Sequence, residues 1–307
     1  MVQILLASYN GEKYISEQIE SLLNQTYSDI QILIRDDNSK DQTLSVIKRY
    51  VEKYPKKLVL IEDNVKCGSA TSNFMELARH ATAEYAMFCD QDDYWLPNKV
   101  EVTLNEMIKA EQEVGSDVPI LVFAKYKAVD KDLQDIGMSD KGTQLEKRRT
   151  ELNHLIVQNC VHGCLSMVNR ALYSIMGDYD KDILMHDWWA ALIASSMGKI
   201  VYIPEALMLY RQHGSNVVGA VKTNSFKYRW AKFTDKKTRY MQLRFKDQMA
   251  LFYDRYSDLL PEDSKRCISD FLSIFNTKSK IGRAHKLIKG GFLKSDLVRT
   301  IGQLLYI

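Results

Sequence analysis

Three carboxylates fall within four residues at Asp90-Gln91-Asp92-Asp93, directly after an apolar run. Beside a buried strand such crowding is costly, because each ionised carboxylate raises the cost of ionising its neighbour. A hard divalent ion relieves it: Mg²⁺ is held by one or two carboxylates plus substrate phosphates, and Mn²⁺ takes similar oxygen ligands. A solvated turn ahead of Pro97 is the plainer alternative, and spacing alone leaves both open.

Other clusters carry the same double reading. Asp36-Asp37-Asn38-Ser39 can be a turn, with Ser39 and Gln42 at capping-box spacing, or can present a carboxylate to the imino N–H of a pyrimidine. In His186-Asp187-Trp188-Trp189, Asp187 can cap a helix or act as a general base. Two adjacent Trp at a helix start are not expected to face the core together, so Trp188 and Trp189 are candidates for an exposed platform under an acceptor sugar. Arg211 and His213, in Tyr210-Arg211-Gln212-His213-Gly214-Ser215-Asn216, can hold a diphosphate or belong to a surface turn. Cys160, His162 and Cys164 lack a fourth nearby zinc ligand and read as core thiols with a histidine.

The elements that must position these groups alternate strand and helix. Val2 to Ala7, Ile30 to Ile34, Leu58 to Ile61 and Tyr85 to Cys89 are continuous apolar runs, as expected of parallel strands covered on both faces. Between them lie helical periods with Ile15, Ile19, Leu22 and Leu23 on one face, then Leu44, Ile47 and Val51, then Ser72 to Thr82. Ser8-Tyr9-Asn10, Asp36-Asp37-Asn38 and the Asp90 cluster each fall where a strand ends. In open α/β sheets the crevice beyond those carboxyl ends is where ligands bind, so three clusters point at one site. Pro97 opens a further helix. Ile120 to Ala124 is a strand, Val129 to Arg149 a polar mobile loop, and strand, helix and strand signals return at Cys164 to Val168, Trp188 to Met197 and Val201 to Tyr210.

The chain of 307 residues is 46% hydrophobic and 26% charged, which excludes collagen-like and low-complexity classes. A body of this size buries roughly 75% of its extended-chain surface and needs no disulfide. Its five cysteines, odd in number and without a C-x-x-C pair, suit a reducing cytoplasm. The N-terminus lacks a basic region before its apolar run and does not read as a secretory signal. Trp188 to Tyr210 is broken at Gly198-Lys199 and Pro204-Glu205 before it reaches the roughly 20 residues of a spanning helix. The net charge of +3 conceals an asymmetry: residues 222 to 307 hold 19 basic and 8 acidic groups, so a basic helical tail follows an acidic body.

Taken in order, Leu6-Ala7-Ser8-Tyr9-Asn10-Gly11, Ile34-Arg35-Asp36-Asp37-Asn38-Ser39, Gly68 with Asn73-Phe74, Phe88-Cys89-Asp90-Gln91-Asp92-Asp93-Tyr94-Trp95 and His186-Asp187-Trp188-Trp189 resemble the family 2 inverting glycosyltransferases of the GT-A fold. Asp-Gln-Asp-Asp with His-Asp-Trp-Trp and Tyr-Arg-Gln-His-Gly-Ser-Asn looks like the bacterial rhamnosyltransferase branch. The resemblance covers residues 1 to 219 as a catalytic domain, with 220 to 307 as a basic helical region. It implies that Ala7 and Tyr9 lie against the nucleoside, Asp37 binds the pyrimidine, Asp90 lies near ribose, Asp92 and Asp93 form the metal site, with Asp92 holding the metal and Asp93 bridging to neighbouring groups, and Asp187 is the base. Ala7 replaces the Thr common in the family's first motif, so only its backbone can make that contact.

The implied reaction is attack by an acceptor hydroxyl, deprotonated by Asp187, on the anomeric carbon of a nucleotide sugar; dTDP-β-L-rhamnose would give an α-L-rhamnoside. A UDP-hexose donor and a catalytically silent nucleotide-sugar or membrane-binding module are the alternatives. A sugar-nucleotidyltransferase would need a Gly- and basic-rich N-terminal loop, which Ser8-Tyr9-Asn10-Gly11-Glu12 is not, and a serine hydrolase would need G-x-S-x-G. Residues 277 to 307 carry seven Lys+Arg against Asp296 alone, interleaved with aliphatics. That pattern suits an anionic membrane surface at the inner face of the cell membrane, where a lipid-linked saccharide would be the acceptor. Packing on the body or on a second copy of the chain is the other reading, and nucleic acid is not expected because no recognised module is present.

Overall fold

Every residue of the first strand, β1 (Val2–Ser8), is buried, because packed layers lie on both faces of the sheet to which it belongs. The computed structural model describes residues 1–63, 65–136, 149–212, 236–295 and 297–307. Among them eight strands form one sheet: β1, β2 (Ile30–Asp36), β3 (Leu58–Leu60), β4 (Tyr85–Asp90), β5 (Tyr94–Trp95), β6 (Ile120–Val129), β7 (Ser166–Asn169) and β8 (Lys199–Arg211), in spatial order β3-β2-β1-β4-β7-β6-β8-β5. The half from β3 to β4 is parallel, as the continuous apolar runs predict. Beyond it β7 is antiparallel to both neighbours, β6 and β8 are parallel, and β5 is antiparallel to β8. The result is a mostly parallel sheet of GT-A type flanked by helices.

Alternate residues of the strands go to opposite layers. Leu5, Leu33, Ala86 and Phe88 share one core with α3 (Ala70–Arg79) and α7 (His186–Met197). Ile4, Leu6, Ile32, Met87 and Cys89 share the other with α1 (Ile15–Leu23), α2 (Thr43–Lys53) and α4 (Lys99–Val114). Short helices α5 (Leu152–Leu155) and α6 (Arg170–Tyr173) precede α7. The chain closes with α8 (Lys236–Tyr256), α9 (Glu262–Phe275), α10 (Lys280–Lys289) and α11 (Leu297–Tyr306).

Several sequence expectations are corrected locally. Ser39 and Gln42 do not form a capping box: α2 begins at Thr43 without a side-chain cap, and the Ser39 hydroxyl is bound to Asp36 instead. Leu44 is exposed, and α2 turns Thr43, Val46 and Ile47 inward. The helix after Pro97 starts two residues later, at Lys99. The strand expected at Val201 to Tyr210 is present as β8 and runs through Pro204 and Glu205. Ala124 pairs with Ile203 and Lys125 with Ala206, so the two intervening residues bulge out of the ladder, where the missing Pro N–H costs no pairing. Residues 137–148, within the expected loop, lie outside the described residues, as does the expected domain boundary at 219/220.

The C-terminal helices share the core of the body. Phe245, Met249, Phe252 and Tyr256 of α8, Phe271 of α9, Leu287 of α10 and Phe292 join Trp188, Trp189 and Leu192 in one buried cluster. The 290–295 turn is also hydrogen-bonded to the body: Gln158 Nε2 donates to Ser295 Oγ at 3.0 Å, and Ser295 N–H returns a bond to Gln158 Oε1 at 2.9 Å.

Candidate active site

Strand register brings the polar clusters together. Ala7 is paired with Asp90 across β1 and β4, and Ser8 with Asp36 across β1 and β2, so three strand ends open at one level. The loops behind them are stitched to one another. Asn10 and Asn38 both adopt a left-handed backbone, at φ 50° and 62°, a conformation Asn tolerates better than other non-glycine residues. Asn10 N–H donates to Ser39 Oγ at 2.8 Å, Asn10 Oδ1 accepts from Lys40 N–H at 2.8 Å, and Gly11 N–H donates to Thr43 Oγ1 at 2.7 Å. Above these ends lies a cavity of about 1420 Å³ whose wall includes Ala7, Tyr9, Asp37, Asp90, Asp92 and Asp187.

On the nucleoside side, Ala7 is buried and Tyr9 is 55% exposed. Gln91, whose role sequence reasoning missed, clamps Tyr9 through both backbone groups: Tyr9 N–H donates to Gln91 Oε1 at 2.8 Å and Gln91 Nε2 donates to Tyr9 O at 2.9 Å. A side chain at Gly11 would collide with this amide, since its Cβ would lie 2.1 Å from Gln91 Oε1. Asp37 is held by the N–H groups of Cys67 and Gly68 at 2.8 and 2.7 Å, with Arg35 at 3.8 Å. Each carboxylate oxygen keeps a further lone pair for a donor in the cavity.

The carboxylate cluster is a candidate cation site. Asp90 and Asp92 are half-buried on the cavity wall; Asp93 is buried behind them and does not line it. One ligand atom each of Asp90, Asp93 and Cys164 lies within 4.8 Å of the others. Burial, then the charges of Asp92 and Asp187, pushes Asp90 up to about 7; burial likewise drives Asp93 well above the usual carboxylate range. Asp93 Oδ2 is buried with no hydrogen-bond partner. Burial keeps the Cys164 thiol protonated, which leaves carboxylate oxygens as the donors. An oxygen-rich, under-compensated set of this kind fits a hard divalent ion.

Asp187 sits at the start of α7, opposite these groups. Its Oδ2 accepts from Gly163 N–H at 2.9 Å, and its Oδ1 accepts from Trp188 N–H at 2.6 Å and Asn159 Nδ2 at 3.1 Å. Burial pushes its pKa up to about 6, while these three donors pull the other way. Asn159 lies 28 residues away in sequence, and no local signal marked it. His186 is buried against Phe74, ring centroids 4.1 Å apart, and burial pushes its pKa down to about 3, so it is neutral.

Three expectations need correction or fall outside the described residues. Trp188 and Trp189 are not an exposed platform: they are 7% and 0% exposed. The C-terminal helices cover the side of α7 left open by the sheet, so two adjacent positions both meet packed neighbours. Trp188 lies 5.4 Å from Phe245 and donates to Leu155 O; Trp189 lies 5.1 Å from Phe252 and donates to Met176 O. Arg211 is not presented to a diphosphate. It is buried, paired with Glu17, stacked 4.7 Å from Tyr14, and donates to the carbonyls of Asp92 and Lys131, a clamp between α1 and the carboxylate turn. His213 lies outside the described residues. Cys160 and Cys164 are buried free thiols, as expected.

The cavity lies at the carboxyl ends of the sheet, with a carboxylate cluster on one side and a buried carboxylate on the other. Residues 3–174, more than half of the chain, match the model of glycosyl transferase family 2, and the chain belongs to that family. It is 29% identical over 235 residues to the dTDP-rhamnosyl transferase RfbG of Shigella flexneri, covering 73% of this chain and 77% of that one. Among solved structures it resembles S. aureus TarS 1-349 in complex with UDP-GlcNAc, with a TM-score of 0.54 and 15% identity over 99% of this chain and 90% of that one. It also resembles the mannosyltransferase PcManGT from Pyrobaculum calidifontis in complex with GDP-Man and Mn²⁺, with a TM-score of 0.52 and 18% identity over 99% and 84%. Among the described residues no helix is long and apolar enough to cross a membrane.

Proposed function

We propose that this enzyme transfers L-rhamnose from dTDP-β-L-rhamnose, with inversion, to a hydroxyl of a saccharide used in cell-surface polysaccharide synthesis. The observation that carries the reading is the convergence of Asp90, Asp92 and Asp187 on one cavity. The rhamnosyl donor is supported by the activity named for the Shigella relative. Ala7, Tyr9 and Asp37 hold the nucleoside, and Asp90 and Asp92, backed by Asp93, hold Mn²⁺ or Mg²⁺. The ion, when bound, neutralises charge that develops on the donor diphosphate. Asp187 takes the proton of the acceptor hydroxyl, which attacks the anomeric carbon from the face opposite the leaving diphosphate. The raised pKa suits this role, since a carboxylate near 6 is a stronger base than one near 4 and is still ionised at pH 7.

The test is a donor panel with the purified chain and Mn²⁺, read as released nucleoside diphosphate. Turnover of dTDP-rhamnose at least about tenfold above UDP-glucose and UDP-galactose is expected. Turnover of a UDP-hexose with none of dTDP-rhamnose would overturn the donor and leave the class intact.

The proposed seat of the reaction is an anionic membrane surface with a lipid-linked acceptor. Helix α10 exposes Ile281 at 82% and Ile288 at 56%, and α11 exposes Leu297 at 75% with Ile301 and Leu305, in a segment that also exposes Lys280, Lys289 and Arg299. Apolar side chains spaced in this way enter the acyl boundary while each nearby cation contributes roughly 1 kcal/mol. Because Leu287 and Phe292 belong to the core, point substitution is a better probe than truncation. The Ile281→Glu/Leu297→Glu variant is expected to lose flotation with anionic vesicles while keeping its melting temperature. Unchanged flotation would remove these helices from the membrane, and loss of a dimer instead would assign them to a second copy of the chain.

A further inference from the structure

Arg35 follows Leu33 by two residues on β2, so it shares the sheet face that packs on α3, and it is buried there. A guanidinium removed from water has to be met by acceptors, and the loop after β3 and α3 supply them. Arg35 Nε and Nη2 donate to the two carboxylate oxygens of Asp63 at 2.8 and 2.7 Å, Nη2 also donates to the carbonyl of Val65, and Nη1 donates to Asn73 Oδ1 at 2.8 Å. Asp63 Oδ1 accepts in turn from Val65 N–H at 3.2 Å, so both backbone groups of Val65 are held. The same loop then turns at Gly68, left-handed at φ 72°, and the N–H groups of Cys67 and Gly68 both reach Asp37. Arg35 Nη1 itself stops 3.8 Å from Asp37 Oδ1, near enough for attraction and too far for a hydrogen bond. Neither Arg35 nor Asp63 lines the cavity.

We infer that Asp63 is a positioning residue for Asp37: by engaging Arg35 it holds the guanidinium off that carboxylate and fixes the loop whose two N–H groups orient it toward a nucleobase. The inference rests on the reading that Asp37 binds the pyrimidine, and it adds what keeps Asp37 available. Among the described residues Asp37 is the other carboxylate within ion-pair range of Arg35. A guanidinium pairs best with a carboxylate in a two-bond fork, so an Arg35 released by Asp63 turns to Asp37 and competes with the base for the same lone pairs. The Val65 to Gly68 backbone loses its anchor in the same step.

The experiment introduces Asp63→Asn into the full chain, alone and together with Asp37→Ala. Isothermal titration in Mn²⁺ gives the affinity for thymidine or uridine diphosphate, whichever the parent binds tighter, and for the same nucleotide methylated at N3, which has no proton to give Asp37. The parent is expected to lose about tenfold or more on N3-methylation, the worth of a hydrogen bond to a charged acceptor. Asp63→Asn is expected to bind the unmodified nucleotide about tenfold more weakly, with an N3-methyl penalty below about threefold. It is expected to add nothing to Asp37→Ala, because it acts through that side chain, and its loss should fall on KM for the donor rather than on kcat. A lower melting temperature with the full N3-methyl penalty would overturn the inference and leave Asp63 a scaffold residue, as would an equal further loss in the Asp37→Ala background. No penalty in the parent would instead withdraw the pyrimidine from Asp37, and the inference with it. If Asp63→Asn does not fold, Arg35→Lys is judged by the same measurements, since an ammonium keeps the charge but cannot span Asp63, Asn73 and Val65 together.

Discussion

Asp187→Asn is expected to keep donor affinity and to lose transfer by a factor of 10² or more. The amide preserves size but cannot accept the acceptor proton, and general-base catalysis contributes about 10²–10⁴-fold. Isothermal titration of the nucleotide sugar and a single-turnover assay separate the two effects; a fall in donor affinity as steep as the fall in rate would make Asp187 a scaffold residue. A pH signature accompanies the loss. With its pKa near 6, the parent's rate should fall about tenfold per pH unit below that value, since the base works only when ionised. Stability runs the other way. Between pH 4 and 6 the native carboxyl keeps a proton that the unfolded chain has lost, so Asp187's contribution to stability falls as pH rises through that window and vanishes as a pH effect in the Asn variant. The full difference is at most about 3 kcal/mol, from a shift of about two pKa units, and urea melts of parent and variant at pH 4 and pH 7 measure it.

Asp92→Asn is expected to lose a thousandfold or more of the metal-dependent rate and to become indifferent to chelator. Charge neutralisation of the leaving diphosphate is worth several kcal/mol in the transition state, and each 1.4 kcal/mol is tenfold. Asp92 is on the cavity wall while Asp93 is buried behind it, so Asp92→Asn acts on the cavity with little change to packing. The assay is product release with and without chelator, with circular dichroism to confirm the fold. Full activity of the variant in chelator would end the cation assignment.

Much of the architecture was legible in the chain itself. Parallel strands buried on both faces have to be continuous apolar runs, and β1, β2 and β4 read that way. Their carboxyl ends could be located from where apolar residues gave way to Asp and Asn, and the register then set Ala7 beside Asp90 and Ser8 beside Asp36. Local chemistry at Asp90, Asp92 and Asp187 was visible because ionisable residues are conspicuous by type and spacing.

Tertiary structure alone decided which of those residues meet the cavity. An apolar face is encoded in periodicity, but what covers it is not. Trp188 and Trp189 look stranded at a helix start until α8 closes over them, and Arg211 looks available until Glu17, nearly two hundred residues earlier in the chain, takes it. The reverse holds for Gln91 and Asn159. An amide side chain carries no signal of its own. Only the folded chain places Gln91 across Tyr9 and Asn159 on Asp187, because each partner is brought in from a distant segment.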